Sequence, residues 1–215
     1  MKYKEYVHAL PWTDKDVWQW PAGDEKLVAV FDQVADTDVI LKHVKDRAVC
    51  VQAGGACGVW PLRFAQVFDV VYTFEPQPEN FACLVANTED ADNIIAYPAA
   101  LANDNNTYSV VNDVRELNNW GAGYVKPDPK GTAAMRIDEL GLEECDLIQL
   151  DVEGYELQAL LGAAETIEAC RPVIVLEEKR LNHRAGDFTK PRKYLEQEFG
   201  YKVVETIHRD IILTC

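Results

Sequence analysis

The chain has 215 residues, a mass of 24.2 kDa and 48% hydrophobic residues, enough for one well-buried α/β core and too ordinary in composition for a disordered chain. A formal net charge of −15 and a pI near 4.6 argue against a phosphate-backbone or anionic-membrane partner, both of which require clustered Lys and Arg. The six cysteines are scattered without a C-x-x-C pair and the N-terminus has no signal-like apolar core, so a cytoplasmic protein with reduced thiols and no membrane span is expected.

Residues 1–46 open with an aromatic-rich stretch, "ALPWTDKDVWQWP", and continue into "EKLVAVFDQVADTDVILKHV". Leu27, Val30, Phe31 and Val34 recur there at helical spacing, so one helix with an apolar face is expected. This segment reads as a cap packing on the domain that follows, residues 47–215. The alternative is that Trp12, Trp18 and Trp20 line a substrate pocket.

From Ala48 strand and helix alternate. "AVCVQA" is a continuous apolar run, as in a strand buried on both faces. Helix "VWPLRFAQVF" follows, then strand "VVYTFE", helix "PENFACLVANTE" and strand "NIIAYPAAL". Residues 103–132 are dense in Asn, Asp, Gly and Pro and read as an insertion with strand-like pieces "TYSVV" and "GAGYV". Alternation resumes with "DLIQLD", helix "GYELQALLGAAETIEAC" and strand "PVIVLEE". Helix "PRKYLEQEF" then leads to "YKVVETI" and "RDIILTC", whose short link predicts an antiparallel hairpin. The pattern predicts a single domain built on a doubly wound, mostly parallel sheet, with its ligand outside the carboxyl ends of the strands.

Two features point to that ligand. Gln52-Ala53-Gly54-Gly55-Ala56-Cys57-Gly58 ends the first core strand, and its glycines allow a tight turn and close backbone approach. The G-x-G-x-x-G spacing is absent. Glu75 ends the second strand about 20 residues later, where an acid can accept hydrogen bonds from ribose hydroxyls. Together they suit a nucleoside-type ligand without separating a nicotinamide cofactor from S-adenosylmethionine.

The segment "LIQLDVEGYELQALLGAAETIEACRPVIVLEEK" resembles the signature of the FkbM-type methyltransferases: strand, D-x-E-G-x-E, helix with L-x-G-A, R-P and a strand ending in Glu. The matching residues are Asp151, Glu153, Gly154, Glu156, Leu161, Gly162, Ala163, Arg171, Pro172 and Glu177. "TFEPQPENFACLVANT" is similar to the family's F-E-P segment, and "AMRIDEL" to its T-L-D-x-L approach, with Asp138 matching. The opening stretch departs from the family's D-V-G-A-N-x-G. Gln52 stands in place of the acid and Ala56 in place of the Asn.

The resemblance implies a Rossmann-like class I methyltransferase fold ending in an antiparallel hairpin. It also implies S-adenosylmethionine as cofactor and transfer of its methyl group, commonly to a hydroxyl of a small molecule or glycan. Cofactor contacts then fall to Gln52, Gly54, Gly55, Gly58, Glu75, Pro76, Ala100 and Asp151. Asp151, Glu153 and His183 are the catalytic candidates. Glu177 ends a neighbouring strand and is expected to converge on Asp151. Convergent carboxylates could also take Mg²⁺ or another hard cation, but His8, His43, His183 and His208 are widely separated and complete no metal motif, so no metal centre is expected. Because Gln52 brings no charge to the methionine ammonium, a catalytically silent binding module is the alternative. A nicotinamide-dependent oxidoreductase ranks below it.

Overall fold

The computed structural model describes residues 3–112, 118–121, 123–178 and 189–215. Strands β1 (Tyr3–Val7) and β2 (Val17–Pro21) form an antiparallel hairpin of their own. The expected single helix after it is instead a series of short turns. A 3-10 turn at Leu27–Ala29 leads to α1 (Val30–Gln33), and a second at Val34–Asp36 leads to α2 (Thr37–Ile40). The backbone stays right-handed at every junction. What changes is the hydrogen-bond pattern: the Thr37 hydroxyl donates to the Val34 carbonyl at 2.6 Å, competing with the helix ladder.

The core comprises β3 (Val49–Ala53), α3 (Val59–Ala65), β4 (Val70–Phe74), α4 (Pro78–Asn87) and β5 (Ile94–Tyr97). The predicted strand "NIIAYPAAL" breaks at Pro98, which has no N–H to give a ladder. Its second part, β6 (Ala100–Leu101), joins β7 (Thr107–Asn112), β8 (Gly123–Pro127) and β9 (Thr132–Met135) in a separate four-stranded sheet. The insertion is thus a β layer, with β7 and β8 antiparallel.

The chain returns to the core with β10 (Leu147–Leu150), α5 (Glu156–Leu161), α6 (Ala164–Cys170), β11 (Val173–Glu177), α7 (Lys190–Phe199), β12 (Lys202–Ile207) and β13 (Asp210–Thr214). The helix expected over 154–170 is divided at Gly162, where a Cβ would lie 2.2 Å from the Ala102 carbonyl oxygen. A glycine is needed for that close approach, and the turn it permits ends α5.

The core sheet has the order β12-β13-β11-β10-β3-β4-β5, parallel except for β13, which is antiparallel to both its neighbours. This is the doubly wound sheet with a terminal hairpin that the alternation predicts. Side chains alternate between its faces. Cys50, Leu147, Val173 and Val175 pack with Trp18, Trp20 and Phe31 of the N-terminal segment, whereas Val51, Ile148, Ile174 and Leu176 pack under α5, α6 and α7. Trp18 and Trp20 are wholly buried in the first cluster. All six cysteines are free, four of them buried. Among the described residues no helix is long and apolar enough to cross a membrane.

Candidate functional site

β3 and β10 lie side by side at the centre of the sheet, where the strand order reverses direction. A cavity opens over the carboxyl ends of β3, β4, β10 and β11, lined among others by Gly54, Glu75, Asp151 and Glu177. The N-terminal segment and the β7–β8 hairpin close its sides through residues such as Lys26, Gln33, Val110 and Trp120. Of the tryptophans in the opening stretch, none lines it.

The glycine loop is built against both flanking strands. Gly54 has φ +82°, and a Cβ there would sit 2.0 Å from the carbonyl oxygen of Asp151. Only a residue without a side chain lets the loop cross the end of β10 so closely. The N–H groups of Gly54 and Gly55 both donate to the Phe74 carbonyl, at 3.1 and 3.0 Å. Ala56 also lies in the left-handed region, at φ +45°.

Glu75 is 6% exposed, and both of its oxygens are anchored. The Ala56 N–H donates to Oε2 at 2.8 Å and the Gln77 N–H to Oε1 at 2.8 Å. Burial pushes its carboxyl up to about 7, against the lowering effect of hydrogen bonds from Gln77, Ala56 and the Asn80 side chain. In the same wall the side-chain oxygens Gln77 Oε1 and Asn80 Oδ1 are buried with no hydrogen-bond partner among the described residues. Buried acceptors of this kind call for a donor, and a ribose with its hydroxyls supplies several.

The other end of the cavity is acidic. One carboxylate oxygen each of Asp151, Glu153 and Glu177 lie within 4.8 Å of one another. Burial first, then the negative charge of Glu177 and Glu153, pushes the Asp151 carboxyl well above the usual carboxylate range. Glu153 lies outside the helix, in the link between β10 and α5. It precedes α5 with φ +52°, followed by Gly154 at φ +92°, and this kink separates it from Glu156. Glu156 instead accepts from the Gly154 N–H at 2.9 Å and closes the start of the helix. The three convergent oxygens are of the type and spacing that a hard cation takes; Asp151 and Glu177 meet as their strand ends suggested, and Glu153 joins them.

Of the residues expected to hold cofactor, Gly54, Glu75, Pro76, Ala100 and Asp151 share this cavity. Gln52, Gly55 and Gly58 do not line it. Gln52 is wholly buried, its Nε2 donating to the Ala53 carbonyl at 3.1 Å and its Oε1 accepting from the Thr73 hydroxyl at 2.6 Å. Both ends of the amide are bonded inside the protein and the side chain is wholly buried, so it does not face the cavity. Gly55 packs under Leu84 and Thr73, and Gly58 against α4, so their part is to shape the loop. His183, like Arg180 and Arg184, lies outside the described residues.

Asn80 and Gln77 were not singled out from the sequence, although both stand in the quoted "TFEPQPENF" segment. Their signal, a polar pair in the first turn after the acid, is indistinguishable from an ordinary helix start. Asp138, matched to the family pattern, does structural work. Its carboxylate accepts from the Thr166 N–H at 2.9 Å, the Thr166 hydroxyl at 2.8 Å and the Glu165 N–H at 3.2 Å, capping α6 from a distant segment.

Residues 64–203 match the model of the methyltransferase FkbM domain. No curated protein matches the sequence. Among solved structures, the chain is similar to the methyltransferase FkbM of Methylobacillus flagellatus (TM-score 0.53, 15% identity, 90% of this chain and 62% of that one). It is also similar to a precorrin-6y C5,15-methyltransferase of Geobacter metallireducens (TM-score 0.52, 15% identity, 88% and 89%). At these identities the likeness is one of fold, and the chain spans less than two thirds of the Methylobacillus protein.

Proposed function

Because the chain belongs to the FkbM methyltransferase family, whose cofactor is S-adenosylmethionine, we propose that it methylates a hydroxyl group of a small molecule or glycan. The observation that carries this reading is one cavity holding Glu75 and the glycine loop together with the carboxylates of Asp151, Glu153 and Glu177. The residues present fit the cofactor: Glu75 offers its carboxylate to ribose, the same wall holds the orphaned buried oxygens of Gln77 and Asn80, and Gly54 lets the loop cross the end of β10 so that both strand ends meet at one cavity. When bound, S-adenosylmethionine supplies a methyl group activated by its sulfonium.

The protein's own contribution is alignment, exclusion of water and a place for the proton. Asp151 holds the acceptor hydroxyl and takes its proton on a carboxylate oxygen as the oxygen–methyl bond forms. Burial and two neighbouring negative charges strengthen that carboxylate as a base. The N-terminal segment and the β7–β8 hairpin keep the cavity narrow, favouring a productive approach of acceptor and methyl donor. A formal charge of −15 speaks against a polyanionic acceptor such as nucleic acid.

The test is incubation of the protein with labelled S-adenosylmethionine and panels of sugars, polyols and phenols beside matched amines and carboxylic acids. Methyl incorporation confined to hydroxyl-bearing compounds supports the reading. Incorporation only into amines or acids overturns it.

A further inference from the structure

The geometry points to Asp24 as a positioning residue of the site: we infer that its buried carboxylate joins the tip of the β7–β8 hairpin to the N-terminal segment, so that two walls of the cavity form one piece and enclose the ligand. This rests on S-adenosylmethionine being the ligand, and goes beyond it by making residues 1–46 part of the site rather than a cap on it.

The pairing of β7 with β8 ends at Asn112 and Gly123, so the cavity-lining Asn119 and Trp120 lie beyond the ladder. Trp120 is fixed instead by groups from other segments. Its N–H donates to Asp24 Oδ2 at 2.8 Å, and its carbonyl accepts from Asn80 Nδ2 at 3.1 Å. Its indole lies over Gly23, where a Cβ would meet Nε1 at 3.4 Å. Beside this joint the Glu25 N–H donates to the Asn118 carbonyl at 2.8 Å. The chain then runs directly into Lys26 and Val30, which line the same cavity.

The group between Trp20 and Trp120 has to accept on both sides. The Trp20 indole N–H donates to Asp24 Oδ1 at 3.1 Å, while the Trp120 N–H takes Oδ2. A carboxylate meets two donors at once, whereas an amide would turn its own N–H towards one of them. Asp24 and Trp20 are both wholly buried, where a carboxylate is costly unless its hydrogen bonds are made. Parting Trp120 from Asp24 gives up one of those bonds, so the joint resists opening. Its base is firm as well. The rings of Trp18 and Trp20 both pack on Phe31, and Lys4 Nζ donates to the Asp24 carbonyl. Trp20, one of the tryptophans that the opening stretch offered for a substrate pocket, thus acts on the cavity from behind, through Asp24.

The test uses the full chain, with S-adenosylhomocysteine as the probe and two readouts: hydrogen exchange at the Trp120 amide and stopped-flow dissociation of the probe. Trp18→Phe is the control for hairpin stability, because the Trp18 indole N–H donates to the His8 carbonyl at 2.8 Å and does not reach the joint. Asp24→Ala should speed both exchange and dissociation on the order of tenfold, the worth of one hydrogen bond to a charged group. Trp18→Phe should leave both unchanged. An unchanged dissociation rate or unchanged exchange in Asp24→Ala overturns the proposal, and so does equal acceleration in Trp18→Phe, which marks a merely structural role. Should Asp24→Ala not fold, Trp20→Phe takes its place. It is the same substitution as the control, in the same hairpin, but it frees Asp24 Oδ1, so it should speed both readouts. Equal rates in the two Phe variants overturn the assignment. A folded wild type that fails to bind S-adenosylhomocysteine removes the cofactor reading. Exchange at Trp120 needs no ligand, and it then decides the joint separately.

Discussion

The backbone N–H of Ala56 donates to the Glu75 carboxylate at 2.8 Å, which makes the loop after β3 and the acid after β4 one unit. Whatever changes the charge of Glu75 therefore changes both the ribose acceptor and the anchor of the loop.

This gives cofactor affinity a pH dependence. The folded-state value of about 7 lies above the ordinary 4.5, so the folded protein holds this proton more tightly than the unfolded chain. The stability it contributes is fully present below about 4.5 and is lost as pH rises through 7. Ribose hydroxyls need the ionised acceptor, so affinity runs the other way. Calorimetry should show S-adenosylhomocysteine binding strengthening by up to about tenfold per pH unit towards 7 and levelling off above it. Glu75→Gln should bind more weakly and lose this slope.

Asp151→Asn should abolish methyl transfer while leaving S-adenosylhomocysteine bound. It should also stabilise the folded protein, because burial and the charges of Glu177 and Glu153 already disfavour an ionised Asp151. The wild-type contribution of this group is lost as pH rises through its raised value, and an amide carries no such dependence. Melting curves at pH 8 should place Asn above Asp, with a smaller difference at pH 5. An equal or lower melting temperature for Asn at pH 8 would remove the idea of strained, functional charge.

Gln52→Asp separates two readings of the opening stretch. An acid there would tighten cofactor binding if the position faced the methionine ammonium. The structure gives the opposite expectation, because the side chain is wholly buried and its nitrogen donates to the Ala53 carbonyl. Removing that donor and burying a charge should cost about 2–4 kcal/mol in urea unfolding, with no gain in affinity.

Ala56 at φ +45° carries the steric cost of a left-handed residue with a Cβ, about 1–2 kcal/mol. Ala56→Gly should recover part of it and raise stability by about 0.5–1 kcal/mol, measurable by denaturant titration, once the greater backbone entropy of glycine is set against the gain.

Asp138→Ala removes three hydrogen bonds at the start of α6. A loss of about 1–2 kcal/mol is expected, in the range of other caps, with S-adenosylhomocysteine affinity unchanged. A selective loss of affinity would instead place Asp138 in the site.

The legible part of the site was the part that follows strand ends. Glu75, Asp151 and Glu177 each stand at or beside the carboxyl end of a β-strand, and the alternation of strand and helix puts such ends on one edge of the sheet. Glu153 was legible as an acid of the motif, but its left-handed turn was not, because such a turn at a non-glycine residue leaves no mark in the periodicity. Gln52 was legible as a departure, but which way its side chain faces depends on Thr73, a neighbour on another strand.

By itself, the sequence determined the strand order's raw material: apolar runs of strand length, helices with one apolar stripe, glycines where the chain must turn, and acids just beyond the strands. These are local signals, set within one turn or one strand. Only the tertiary structure decided on which neighbours the polar groups were spent. Gln52 is used up by Thr73 and Ala53, whereas Asn80 gives its nitrogen to Trp120, forty residues away. Hydrogen-bond satisfaction in a buried site is a property of partners brought together by folding, so no reading along the chain contains it.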